Sequence, residues 1–207
     1  MAYVLGFFAA DGTLTTSKRG GNFWSIEIGD KELLEGIKKT IESEHKIGAR
    51  YKGDKDTHKE MYRLQIGSIE MCDDLRNLGF KERKTKSLAV PRVPIEYFRD
   101  FVRGYFDGDG NVWSGLVHKE RKNNLLAIRS VFTSCSLVFL VEIKNRLEKV
   151  GIEKGVIRKR HGNYYTLTYS IHNSLKLYYF MYNDLVSQSL YLNRKKKVFE
   201  KYIKLRL

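Results

Sequence analysis

Apolar residues along this chain recur with helical spacing in some stretches and alternate with polar ones in others, and the two patterns succeed each other in a fixed order. The run from Ala2 to Ala10 is apolar almost throughout and predicts a helix that stops at Asp11-Gly12. After the Gly20-Gly21 turn, Asn22 to Ile28 alternates and carries Phe23 and Trp24, the pattern of a strand. Asp30 is placed to N-cap a helix whose stripe is Leu33, Leu34, Ile37 and Ile41. Short strands near Ala49 to Lys52 and Met61 to Ile66 flank the polar stretch from Gly53 to Glu60. Ser68 then caps a helix that runs through Leu78 and closes at Gly79. The order is α-β-β-α-β-β-α.

Pro91 and Pro94, the only prolines, end an extended connector and open the next helix near Ile95. The same order then begins again. A helix runs to Phe106, strands lie around Val112 to Leu116 and Leu125 to Phe132, and a helix from Ser136 to Val150 closes at Gly151. Strands around Val156 to Arg160 and Tyr164 to Ser170 follow, then helices around Asn173 to Tyr182 and Asn193 to Leu205. Repeated pairs of strands between helices predict an α+β fold with one twisted antiparallel sheet per half. The expected division is 1–90, a linker at 91–94, and 95–207.

The two halves share words as well as order. Leu5-Gly6-Phe7-Phe8-Ala9-Ala10-Asp11-Gly12 is echoed by Arg103-Gly104-Tyr105-Phe106-Asp107-Gly108-Asp109-Gly110, with Gly6 and Gly104, Asp11 and Asp109, and Gly12 and Gly110 in matching places. Ser25 to Ile28 is echoed by Ser130 to Thr133, Tyr62 to Ile66 by Tyr165 to Tyr169, and Arg83 to Lys86 by Arg194 to Lys197. Two repeats of this length describe a pseudo-dimer on one chain. In each motif the small residues, Gly6 with Ala10 and Gly104 with Gly108, lie four apart on one helix face, which lets two backbones approach closely. Gly is a reasonable helix terminator. An Asp at the last helical position meets the negative end of the macrodipole, a poor choice for stability alone. If the two small faces pack, Asp11 and Asp109 arrive side by side and need a divalent cation or a shared proton.

Charge narrows the partner. Lys and Arg number 38 against 24 Asp and Glu, a net charge of +14, which points to a polyanion and first to nucleic acid. The basic residues lie in strands and loops and not along one amphipathic helix, which argues against a membrane surface. No segment approaches a membrane span, and the apolar start lacks the basic region of a secretory signal. Cys72 and Cys135, the only cysteines, stand apart from any histidine at ligand spacing and read as reduced thiols. Together these features predict a cytoplasmic protein of a prokaryote, or one of an organelle's matrix or stroma. Asp107 to Asn111 has the opening of a calcium loop, but Val112 stands at the sixth position and His118 at the twelfth. The five histidines show no paired ligand spacing for zinc.

With both motifs in view, the chain resembles the LAGLIDADG homing endonucleases in their single-chain, two-repeat form. The resemblance rests on Val4 to Gly12 and Val102 to Gly110 and extends over the repeat order of the whole chain. It implies two αββαββα halves, a saddle of two sheets astride DNA with paired motif helices at its centre, and a monomer with internal pseudo-two-fold symmetry. It implies a staggered double-strand cut leaving 3′ overhangs, with Mg2+ as cofactor and Mn2+ or Ca2+ able to occupy its site. The essential acids carry over to Asp11 and Asp109, with Ala10 and Gly108 beside them in the metal site. The first motif departs from the pattern at Ala9, where the second has Asp107; that position reads as an interface carboxylate or a weaker metal ligand. By similarity, Lys86 and Lys197 are the basic residues near the attacking water, with Lys84 and Lys195 as alternatives. An RNA-splicing maturase on the same scaffold is the rival reading, which would make RNA a partner. A transcription regulator would be expected to append a helix-turn-helix domain.

Sequence readout is expected from side chains alternating on the sheets, since a curved antiparallel ribbon fits the major groove. The candidates in the first half are Lys18, Arg19, Asn22, Trp24, Ser25, Glu27, Arg50, Lys52, Arg63 and Gln65. In the second half they are His118, Lys119, Arg121, Lys122, Arg129, Arg158, Arg160, Tyr164, Thr166 and Thr168. Arg63 and Arg129 are the expected base readers. Trp24 and Trp113 fit a packed aromatic under the sheet as well as a DNA-facing one. A one-residue slip in register would invert the set.

Overall fold

The computed structural model describes residues 1–52, 59–82, 87–117 and 125–206. Lys84, Lys86, His118, Lys119, Arg121 and Lys122 lie outside them. The chain divides into two compact units, Met1–Gly108 and Asp109–Leu207. The sequence repeat turns over at the proline connector, whereas the packing boundary comes at the end of the second motif helix.

In the first unit, α1 (Ala2–Asp11) leads into β1 (Gly12–Thr16) and β2 (Asn22–Ile28), followed by α2 (Lys31–Thr40), β3 (Ile47–Lys52), β4 (Lys59–Gly67) and α3 (Ile69–Asn77). A single 3-10 turn at Ile95–Tyr97, behind Pro94, opens α4 (Phe98–Asp109). The sheet is antiparallel with strand order β1-β2-β4-β3. The predicted caps form: Asp30 accepts a hydrogen bond from the Leu33 amide and Ser68 from the Met71 amide. Gly79 takes the left-handed conformation that ends α3, with φ +95°. Helix α2 buries Leu33, Leu34 and Ile37 against the sheet. Cys72 is buried in α3, and burial pushes its thiol pKa up.

The second unit holds β5 (Gly110–Val117), β6 (Leu125–Ser134), α5 (Leu137–Lys149), β7 (Val156–Arg160), β8 (Tyr164–Tyr169), α6 (Ile171–Tyr182) and α7 (Asn193–Lys204). Its sheet has the corresponding order, β5-β6-β8-β7. Ser136 caps α5 by accepting from the Phe139 amide, and Gly151 ends it with φ +80°. The fold is α+β, with two antiparallel four-stranded sheets in one repeated order.

Pairing partners fix which residues correspond between the halves. Gly12 pairs with Ile26 and Gly110 with Phe132, so Ile26 corresponds to Phe132 and Ser25 to Val131. The sequence echo that aligned Ser25 with Ser130 is therefore one residue out of step. Matching serines pulled that alignment off the buried face, on which Ile26 and Phe132 both sit fully covered. The echo on β4 and β8 holds in register: Ile26 pairs with Leu64, and Phe132 with Leu167.

Candidate active site

Helices α1 and α4 touch through their small residues. A Cβ on Gly6 would run into the backbone of Phe101 and Tyr105, and one on Gly104 into the backbone of Tyr3 and Phe7. Main chain cannot swing aside as a flexible side chain can, so the glycines are what permits this approach. One turn further on, a Cβ on Gly108 would meet the Ala10 methyl and come within 3.1 Å of Asp11 Oδ2. Gly6, Ala10, Gly104 and Gly108 thus line one continuous contact, with the Asp11 carboxylate at its end. The space that Gly108 leaves open lies against that carboxylate, and Asp109 is the next residue along α4.

Asp11 and Asp109 are each the last residue of a helix, and both are exposed. Neither helix carries a basic residue in its last turn to offset them. Gly12 is not the left-handed terminator that the sequence suggested. Its backbone is extended, with φ −78° and ψ 151°, and β1 starts there without a loop. Glycine is needed at this position because a Cβ would collide with the Phe8 ring.

Asp107 is a structural residue. It is 1 % exposed, and Oδ2 accepts a 2.8 Å hydrogen bond from the Tyr3 hydroxyl. Arg103, also buried, pairs with Asp100 at 2.6 Å and lies over the Tyr3 ring. A carboxylate engaged inside the α1–α4 contact is not presented for metal ligation, which leaves the acids at the two helix ends.

Within the second unit, Lys195 is 6 % exposed and its Nζ donates a 2.6 Å hydrogen bond to the Gly110 carbonyl. Lys197, the residue favoured from sequence, is exposed on α7. Helical phase explains the difference: Lys195, Phe199 and Tyr202 are the buried positions of α7, spaced four and three apart, and Lys197 falls on the opposite side. That spacing was visible in the sequence.

The registers sort the remaining candidates. In the first unit Trp24, Ile26, Ile28, Leu64 and Ile66 face the helices, so Ser25, Glu27, Arg50, Arg63 and Gln65 share the open face. Lys52 continues that face by register. Trp24 does not belong with them: it is 2 % exposed and packs edge-on against Phe8. Asn22 is likewise on the helix side, where its Oδ1 accepts a 2.6 Å hydrogen bond from Arg76. Lys18 and Arg19 are exposed in the β1–β2 turn. In the second unit Arg129, Arg158, Arg160, Tyr164, Thr166 and Thr168 share the open face. Trp113 joins them, 45 % exposed and directly opposite Arg129. The two tryptophans thus have opposite roles, decided by strand parity.

Residues 1–79 match the family model described as LAGLIDADG-like domain. The described residues have the fold of solved LAGLIDADG homing endonucleases. The chain is similar to the I-LtrWI LAGLIDADG homing endonuclease solved bound to target DNA, with a TM-score of 0.61, 13% identity, and 99% of this chain and 88% of that chain covered. It is also similar to the meganuclease I-SmaMI bound to uncleaveable DNA, with a TM-score of 0.64, 16% identity, and 99% and 87% covered. The same enzyme bound to an uncleaved target in the presence of calcium ions gives a TM-score of 0.62 at 14% identity, with 99% and 89% covered. Among curated proteins, the chain is 33% identical over 53% of its length to the RNA polymerase subunit Rpo1C of Methanocaldococcus jannaschii. It is 31% identical over 74% of its length to a probable translation initiation factor IF-2 of Thermococcus kodakarensis. It spans only 12% of the length of each of these relatives. Among the described residues, no helix is long and apolar enough to cross a membrane.

Proposed function

We propose that this chain is a site-specific, metal-dependent DNA endonuclease that makes a staggered double-strand break, with 3′ overhangs, in a long duplex target. The observation that carries the reading is the close-packed pair of motif helices, each ending in an exposed carboxylate that leads without a loop into the first strand of a sheet. The likeness of the LAGLIDADG-like domain to DNA-bound homing endonucleases supports the substrate class, and the net charge of +14 suits a polyanion. The segment matches one eighth of two proteins with unrelated tasks, which supports a module inserted into different hosts.

The donors present suit a hard divalent ion. Asp11 and Asp109 offer exposed carboxylate oxygens, the Ala10 and Gly108 carbonyls lie at the same helix ends, and the small residue at 108 leaves room beside Asp11 Oδ2. We assign Mg2+ to this pair, with Mn2+ or Ca2+ able to replace it. When bound, such an ion supplies an activated water, neutralises the phosphoryl oxygens and assists the leaving 3′ oxygen. Asp11 and Asp109 would hold the metal, one acid serving each strand cut. Lys195 fixes the first residue of β5 and brings a positive charge to the residue after Asp109, where it stabilises charge developing on the phosphate. The open sheet faces select the sequence.

The test is incubation of the purified chain with Mg2+ and a plasmid library carrying uninterrupted host loci, followed by sequencing of the ends. Linear product with 3′ overhangs at a single sequence is expected. Absence of linear product, or cutting that persists in EDTA, would overturn the proposal.

A further inference from the structure

Three basic residues on the open face of the second sheet, Arg129, Arg158 and Arg160, together with Lys154, surround a groove of about 240 Å³. Among the described residues none of these four forms an ion pair, so no described carboxylate neutralises them. One of the arginines is anchored. Arg160 Nε donates a 3.0 Å hydrogen bond to Thr166 Oγ1, across the diagonal between β7 and β8. Thr166 is itself 6 % exposed although it lies on the open face, directly opposite Arg158. A phosphate contact needs only charge at the end of a flexible stem. A guanidinium tied by its inner nitrogen to a neutral, buried hydroxyl keeps a fixed plane and leaves its two terminal nitrogens, the fork that matches O6 and N7 of guanine.

The first sheet handles its arginine differently. Arg63 stands directly opposite Glu27, and its terminal nitrogen Nη2, not Nε, is bonded sideways to Ser25 Oγ at 3.3 Å. The fork itself is engaged on the sheet.

We infer that Thr166 is a positioning residue that holds Arg160 as a reader of one guanine in the half-site facing the second sheet, and that the first sheet has no equivalent reader in Arg63. This rests on the DNA-binding reading above, and the test separates the two. Randomised duplexes are selected on the wild-type chain and its variants in Ca2+ and sequenced, and affinity for unselected duplex is measured in parallel. The wild type is expected to enrich guanine at one position that Arg160→Ala and Arg160→Lys both release, with discrimination there falling roughly tenfold or more. Thr166→Val, nearly isosteric, should release the same position, and Thr166→Ser should restore the preference. Guanine preference unchanged in Thr166→Val overturns the positioning role. Arg160→Ala weakening all sequences equally, with a flatter salt dependence, overturns the base contact in favour of a phosphate contact. If Thr166→Val does not fold, Thr166→Ala takes its place with the same expected loss of preference, and Arg160→Lys, which keeps the charge and removes the fork, tests the base contact. A wild type that enriches no sequence overturns the DNA reading itself.

Discussion

The two motif helices share one sequence pattern but pack by different means. Helix α1 is apolar from Tyr3 to Ala9 apart from the Tyr3 hydroxyl, which donates to Asp107 of α4. Helix α4 carries Asp100, Arg103 and Asp107 around that same hydroxyl and ring. Where one copy has Ala9, the other has a buried carboxylate, so the middle of the pair has diverged. The glycines at the contact and the acids at the ends have not. Packing can be made by apolar or by polar means, provided every buried group is satisfied, whereas the role proposed for the end acids would admit no such substitute.

That contrast can be broken most severely at the acids. Asp11→Asn or Asp109→Asn should abolish double-strand cutting while leaving DNA affinity within a few-fold, as gel shift and plasmid linearisation would show. Retained double-strand cutting in either variant would remove that acid from the site. The next largest effect belongs to the glycines. Gly6→Leu or Gly104→Leu presses a side chain into main chain and should cost more than about 3 kcal/mol, at the upper end of overpacking losses. An unchanged melting temperature would mean that the helices do not hold each other.

The diverged middle gives a subtler, two-sided test. Asp107→Ala leaves the Tyr3 hydroxyl without its acceptor and should cost about 1–3 kcal/mol in denaturant unfolding. The reciprocal Ala9→Asp places a carboxylate at a position 2 % exposed and should cost at least as much. Equal tolerance of both changes would show that the two copies are still interchangeable there. The smallest effect concerns charge. DNA affinity should fall with salt at a log-log slope of about −0.9 per phosphate neutralised, and removing Lys18 or Arg19 from the β1–β2 turn should flatten it by about one each. A slope unmoved by both substitutions would remove that turn from the backbone contacts.

Helices were legible in the sequence wherever a cap and a stripe agreed, as at Asp30, Ser68 and Ser136. The acids were legible because they recur. Strand β1 was not located, because Gly12 to Thr16 offers one buried side chain, Leu14, and no turn residue before it. The slip between Ser25 and Ser130 came from reading identity where burial decides; Ile26 and Phe132 are unlike residues that occupy one place. Asn22 and Trp24 were misplaced for the reason that any strand residue can be. Parity is set by partners distant in the sequence, here Ile66 and Gly67 across from Trp24 and Phe23. Similarity to the family points to Lys197 with Lys195 as the alternative, and the apolar spacing of Phe199 and Tyr202 adds only that Lys195 shares the buried face of α7.

The direct passage from α1 into β1 sets how this chain can change without losing its chemistry. With Asp11 the last residue of the helix and Gly12 the first of the strand, no linker exists to absorb an inserted residue. One extra residue there would turn the acid about 100° around the helix axis or exchange the two faces of β1. Length variation is therefore barred on this side of the sheet and must be taken up at the far end, in the Ser17–Gly21 turn, whose Gly20 already adopts φ +83° with no side chain nearby. Under the proposed function, new target preferences would arise by exchanging side chains on a fixed frame, and a designer seeking to retarget the protein would keep the helix–strand joints and vary the strands.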